Sequence, residues 1–224
     1  MLAACGQEST DSTTAKKQES SSNIQETTGK SDINHSSPSE ISEEYLRSLP
    51  ANKESDFEYH LGKTADEICI VAYKGSRDIV VIPDKIDGKP VTEVGGVVFA
   101  NSSEVRAVFF PESVAYLTGA GVFVNNQVIE IVIAEGVKEL SDGTFSNCSV
   151  KQILLGDKVE KLGLFSIGYC ASLEKLVVLS DPVIVNMETS KAFLMACPNL
   201  TITGLSGSKL EQYAKEKGIP FIAK

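Results

Sequence analysis

Five short apolar segments recur along the chain, and their spacing restricts the fold more than any other feature. Val80-Val81-Ile82-Pro83, Val108-Phe109-Phe110-Pro111, Ile131-Val132-Ile133-Ala134, Ile153-Leu154-Leu155-Gly156 and Leu176-Val177-Val178-Leu179 begin 28, 23, 22 and 23 residues apart. After each of the first four comes a second apolar pair: Val91/Val94, Val114/Leu117, Val137/Leu140 and Val159/Leu162. A large apolar residue then closes each unit: Phe99, Phe123, Phe145, Ile167 and Phe193. A unit of this length cannot enclose a core by itself, whereas stacked units bury each apolar set against the next. The spacing therefore predicts a mainly β solenoid of about five rungs, its strands paired in parallel about 4.8 Å apart.

Alternation along each segment assigns the faces. Val80/Ile82, Val108/Phe110, Ile131/Ile133, Ile153/Leu155 and Leu176/Val178 are expected to point inward. The residues between them, Val81, Phe109, Val132, Leu154 and Val177, then form an apolar ladder on the outer sheet face. Ile79, Ala107, Glu130, Gln152 and Lys175 border it. An exposed apolar patch of this kind marks an interaction surface. The competing reading is that such residues simply suit strands, or that a neighbouring segment packs over them. The ladder and its border residues Glu130, Gln152 and Lys175 are the candidate partner-binding residues.

Both ends of a solenoid need cover. The hairpin-like run Phe57–Tyr73 is expected to form an N-terminal β cap. At the other end Ser208 and Glu211 read as a capping box, Leu210, Tyr213 and Ala214 share one helical face, and Gly218 then Pro220 end the helix. A C-terminal helix cap followed by a short strand, Pro220–Ile222, is expected there.

The pattern resembles the leucine-rich repeats of BspA-like bacterial surface proteins. The resemblance rests on Ile82-Pro83, Ile86-Asp87-Gly88-Lys89-Pro90-Val91-Thr92-Glu93-Val94-Gly95, Phe99, Phe145-Ser146-Asn147-Cys148 and Cys170-Ala171-Ser172-Leu173-Glu174-Lys175-Leu176. It extends through Ser208–Lys215 and Gly218-Ile219-Pro220-Phe221. Ala134, Gly156 and Leu179 depart from the family's strand-end proline, and Ile167 from its closing phenylalanine. The resemblance implies a leucine-rich-repeat domain over residues 57–224 that binds rather than catalyses. Its partner would be a protein or glycan on a host, matrix or neighbouring cell.

Leu2-Ala3-Ala4-Cys5 is similar to the lipobox of bacterial lipoproteins, which implies a lipid on the Cys5 thiol. No basic or apolar leader precedes it in this sequence. Residues 6–40 hold nine Ser and five Thr but only Ala15, Ile24 and Ile33 as apolar residues. Such a segment buries too little to offset chain entropy and reads as a flexible stalk. Residues 1–40 are thus assigned as lipobox remnant and stalk, and 41–56 as a short amphipathic helix (Ile41 to Leu49, stopped by Pro50) with a linker. The implied location is extracellular, anchored to the bacterial membrane through the lipid alone.

Composition removes several functions. A net charge of −9 disfavours nucleic acid, whose recognition needs a basic face. With two His, no Cys-x-x-Cys and no distinctive acid pair, neither a metal site, a cofactor nor a catalytic centre is expected. His60 lacks a partner at motif spacing and reads as a surface residue. Gly119-Ala120-Gly121 lacks the third glycine and following helix of a dinucleotide loop and reads as a turn. Asn101, Asn147 and Asn199 match glycosylation sequons but read as bend residues. Cys148, Cys170 and Cys197 fall at equivalent bends, where neighbouring rungs bring cysteines within disulfide reach; a buried column of free thiols is the expected outcome. Two alternatives to surface adhesion remain: a solute- or carbohydrate-binding lipoprotein, and a self-associating structural protein.

Overall fold

The computed structural model describes residues 40–119, 121–126, 129–184 and 193–224, which lie within one compact unit, Ser36–Lys224. The tail, with Cys5, lies outside the described residues. The first element is α1 (Glu43–Ser48), where the Ser42 hydroxyl accepts the Tyr45 N–H at 3.1 Å and stabilises the first turn. A 3-10 turn, Glu54–Asp56, leads into β1 (Phe57–Leu61) and β2 (Ile68–Tyr73), an antiparallel pair with Phe57 opposite Tyr73.

From residue 79 the chain winds in coils. The strands are β3 (Ile79–Val81), β4 (Lys85–Ile86), β5 (Lys89–Gly95), β6 (Ala107–Phe110), β7 (Tyr116–Thr118), β8 (Ile129–Ala134) and β9 (Glu139–Leu140). They continue as β10 (Val150–Leu155), β11 (Lys161–Leu162), β12 (Ile167–Gly168), β13 (Lys175–Val178), β14 (Val183–Ile184), β15 (Leu194–Met195) and β16 (Thr201–Gly204). Then come α2 (Lys209–Lys217) and β17 (Phe221–Ala223). The main sheet runs β17-β16-β13-β10-β8-β6-β3, all parallel. The second sheet runs β1-β2-β5-β7-β9-β11-β14, parallel from β2 onward. The fold is a β-solenoid of about six turns.

The core fills the space between these sheets. Val80, Val108, Val132, Ile153, Leu176 and Ile202 enter from the main sheet, and Val94, Leu117, Leu140, Leu162 and Ile184 from the second. Phe99, Phe123 and Phe145 close the third side as a stack, with centroids 5.3 and 4.8 Å apart and interplanar angles of 17° and 5°. Each fully buried side chain contributes about 1.5–3 kcal/mol relative to exposure. The polar bend beside this stack uses Asn101, Asn125 and Asn147 at positive φ (56, 56 and 53°), a region asparagine tolerates better than most residues. Asn147 Nδ2 donates to Asn125 Oδ1 at 2.6 Å, so these two amides tie one coil to the next. In α2, Leu210, Tyr213 and Ala214 are buried, Ser208 Oγ accepts the Glu211 N–H at 3.2 Å, and Gly218 (φ 67°) ends the helix.

Two sequence expectations change. One coil was missed: β16 pairs with β13 (Leu176 opposite Ile202), although Thr201-Ile202-Thr203 carries a single apolar residue. The register of β8 is also one residue off the expectation. Val108 faces Val132, and Val132 faces Ile153. Val132 therefore lies in the inner core, while Ile131 and Ile133 take the outer face. Glu130 leaves the border row for the same reason, and Ile131 stands there between Ala107 and Gln152. Equal spacing of segments misplaces this strand because the paired positions are 28, 24, 21, 23 and 26 residues apart.

Candidate interaction surface

The outer face of the main sheet carries the corrected row Val81, Phe109, Ile133, Leu154, Val177, Thr203 and Ile222. Much of it is covered by the chain itself. Ile41 and Leu46 belong to one buried cluster with Ile79, Val81, Ala107, Ile131, Ile133, Leu154 and Val177, and Tyr45 and Leu49 pack against its margin. An apolar helix face and an apolar strand face thus remove each other from water, which is the hydrophobic effect acting on two amphipathic surfaces.

Polar contacts fix where α1 lies. Arg47 makes a bidentate pair with Glu135, Nη1 to Oε2 at 2.8 Å and Nη2 to Oε1 at 2.6 Å, and also bonds Glu43. Its guanidinium lies 5.9 Å from the centroid of the Phe109 ring. The hydrogen bonds from Arg47, helped by its charge, hold the Glu135 carboxyl below its ordinary pKa, and the same bonds raise the pKa of Arg47. Glu130 Oε2 accepts the Ile41 N–H at 3.1 Å, while its other oxygen takes Arg106 Nε at 2.8 Å. At the first edge of the sheet, Asn52 bonds Val81 in both directions, Val81 N–H to Oδ1 at 2.9 Å and Asn52 N–H to the Val81 carbonyl at 2.8 Å. The polar backbone groups of Val81 on that edge are therefore satisfied within the chain.

The cover ends before the sheet does. Beyond α1 lies a cavity of about 260 Å³, bounded by Glu43 and Glu135 on the helix side and by Leu154, Val177, Thr203 and Ile222 along the floor. Lys175 and Lys224 also line it. Ile222 is 55% exposed, whereas Leu154 and Val177 are 5% and 8% exposed. Lys175 is exposed and Gln152 half-buried. Of the sequence-derived candidates, the structure gathers Leu154, Lys175 and Val177 along this cavity, sets Gln152 in the border row between Ile131 and Lys175, places Val81 and Phe109 on the covered part, and puts Val132 in the core.

Arg47, Glu135, Thr203, Ile222 and Lys224 were not singled out in the sequence. Only Ile222 left a signal there, as an apolar residue in a short strand after the helix-ending Gly218. Arg47 and Glu135 are 88 residues apart, and no spacing rule joins them.

The remaining features take structural places. Cys69 is buried, and burial raises its thiol pKa to about 11. His60 is exposed, with Nδ1 2.6 Å from the Leu61 carbonyl. Among the described residues, no group of three or more His, Cys, Asp or Glu is placed to hold a metal ion. Among the same residues, no helix is long and apolar enough to cross a membrane.

Stacked short coils that present a parallel sheet for contact define a repeat protein of the leucine-rich-repeat class. The chain belongs to the BspA-type family within it: residues 92–212 match the model of the BspA type leucine rich repeat region in six copies. The leucine-rich-repeat protein of T. pallidum has a similar crystal structure, with 22% identity, 69% of this chain and 71% of that chain covered, and a TM-score of 0.52. A leucine rich cell surface protein from Faecalibacterium prausnitzii A2-165 matches at 16% identity over 72% of this chain and 56% of that one, with a TM-score of 0.39. No curated protein matches the chain. Family membership points to a protein-interaction module.

Proposed function

We propose that this chain is a non-catalytic cell-surface adhesion module that grips a protein partner with the open end of its main sheet. The observation that carries this reading is the half-covered face: α1 seals the first coils, and the later ones leave a cavity of about 260 Å³ with apolar floor and charged rim. A partner side chain seated on Val177 and Ile222 would bury apolar surface at about 25 cal/mol per Å². Lys175 and Lys224 favour an acidic neighbour to that side chain, and Glu43 and Glu135 disfavour one on the opposite rim, which fixes orientation. The Ser/Thr-rich residues 6–40 act as a stalk and Cys5 as the lipid attachment point, which would hold the domain outside a bacterial membrane.

The test uses the full chain and surface proteins of candidate host, matrix and neighbouring cells. Ile222→Asp and Lys175→Glu should each weaken capture about tenfold or more, the effect of losing about 1.4 kcal/mol. Val183→Asp is the control, since Val183 is 58% exposed on the second sheet. Equal capture by all three variants would refute the assignment. Glycan binding lost in the same two variants would place a carbohydrate at this site instead, and concentration-dependent sedimentation lost in them would place a second copy there.

A further inference from the structure

Three thiols stand in a column at one corner of the solenoid. Pairing of β12 with β15 sets Ile167 opposite Leu194 and Gly168 opposite Met195, so Cys170 and Cys197 occupy the same step of consecutive coils. The bonds from Asn147 N–H to the Gly168 carbonyl (2.8 Å) and from Tyr169 N–H to the Met195 carbonyl (2.6 Å) bring Cys148 into the same line. Cys148 Sγ lies 3.6 Å from Cys170 Sγ, and Cys170 is in turn hydrogen-bonded to the Cys197 thiol. All three are free. Their accessibility is graded: Cys148 is 2% exposed, Cys170 is 0%, and Cys197 is half-buried at the end of the line.

We propose that this column is a latent disulfide site, which Cys197 opens to an external small-molecule disulfide of the glutathione class and Cys170 closes into a cross-link between successive coils. In the first step the Cys197 thiolate attacks one sulfur of the external disulfide. A Cys197–glutathione bond forms, the external sulfur–sulfur bond breaks, and one glutathione thiolate leaves. In the second, the Cys170 thiolate attacks Cys197 Sγ, forming the Cys170–Cys197 bond and releasing the second glutathione. Two protein thiols are oxidised, one external disulfide is reduced to two thiols, and the thiol protons pass to solvent. Cys148 can then attack Cys170 Sγ and free the Cys197 thiolate; this moves the bond inward with no net electron transfer. Close parallel coils suit the step, since the rung spacing of about 4.8 Å falls inside the Cα separation a disulfide spans.

The same geometry explains why the site stays reduced until challenged. The thiol of Cys170 is screened from solvent and donates to the Phe145 carbonyl at 2.8 Å. Hydrogen bonding within the column and burial raise the pKa values of Cys170 and Cys197, and only the thiolate reacts. Oxidation should therefore accelerate with pH, by about tenfold per unit while the thiols remain mostly protonated.

The experiment uses the full chain carrying Cys5→Ser, which removes a competing thiol. The folded protein is incubated with oxidised glutathione at about pH 8.5, near the ordinary thiol pKa. After acid quenching and alkylation, unreduced tryptic peptides are mapped by mass. Lys151, Lys161, Lys175 and Lys191 place the three cysteines in separate peptides. The expected product is one internal disulfide joining Cys170 to Cys197 or to Cys148, with a rise in Tm that dithiothreitol reverses. Cys197→Ala should slow its formation at least about tenfold, because the entry thiol is gone. Cys148→Ala should still give the Cys170–Cys197 bond. A glutathione adduct that persists on Cys197, reaction only after denaturation, or an unchanged rate in Cys197→Ala would each overturn the proposal.

Discussion

Phe123 tests the stacking argument most directly, because it touches three rings, as many as Phe99, and sits in the middle of the Phe99–Phe123–Phe145 stack. It is fully buried and meets Phe99 at 5.3 Å, Phe145 at 4.8 Å and Phe110 at 6.2 Å, the last edge-on at 87°. Phe193, equally buried, meets only Tyr213 among the described rings, at 5.0 Å. Leucine at either position keeps most of the apolar bulk but removes the ring geometry, worth about 0.5–1.5 kcal/mol per aromatic pair beyond area burial. Phe123→Leu loses three such pairs and Phe193→Leu one, while the shape-change cost, up to about 1.5 kcal/mol, is common to both. Phe123→Leu should therefore be the more destabilising by about 1–3 kcal/mol. The assay is urea unfolding followed by far-ultraviolet circular dichroism, with the denaturant slope required to stay constant between variants. Equal losses, or a larger loss at Phe193, would refute the claim that coil-to-coil ring contacts stabilise the interior.

Glu135 carries the second prediction. Arg47 depresses its pKa in the folded state, so the pair's stabilisation is present above the unfolded carboxyl value and is lost as pH falls through the lower folded value. Carbon-detected NMR should place the Glu135 midpoint below that of exposed glutamates, Arg47→Ala should return it to normal, and the Leu46 amide should lose exchange protection over the same acid range. Tyr213 has the opposite sign. Burial raises its pKa from 10.0 to about 12, so its contribution is intact below the unfolded value and disappears as pH rises through the folded one. Alkaline melting between these limits should become shallower in Tyr213→Phe, which also loses the bond to the Leu194 carbonyl (3.2 Å) and with it about 0.5–1.5 kcal/mol at neutral pH. Gly136→Ala should cost about 1–3 kcal/mol by thermal melting, because its new Cβ would stand 2.3 Å from the Glu112 carbonyl oxygen of the preceding coil.

The repeat was legible because it is enforced several times over. A coil that misplaced Phe123 or Leu140 would leave a gap against both neighbours, so the interior writes a strong period into the sequence. The outer face has no such redundancy. In β8 the segment Ile129–Ala134 is buried on nearly every residue, since the core lies on one side and α1 on the other. Alternation identifies a face only when the opposite face meets water. With both faces apolar, Val132 and its neighbours Ile131 and Ile133 are interchangeable by pattern, and only pairing with Val108 and Ile153 decides between them. The docking of α1 was hidden for a related reason: its amphipathic pattern shows that Leu46 must be covered, but contains nothing to say by what.

That gap bears on function. A ladder of Val81, Phe109 and Leu154 on the outside of a sheet reads as a binding face when the strands are considered alone, because apolar residues facing solvent demand a partner. Here the partner over much of its length is residues 41–49 of the same chain. What α1 leaves outside its cover runs beside polar side chains, the half-buried Gln152 and the exposed Lys175, where the helix would bury charge or amide groups without compensation. The border between covered and open sheet thus follows a change in side-chain chemistry: the apolar stretch ends against its own helix, and the stretch beside Gln152 and Lys175 lies beyond that cover.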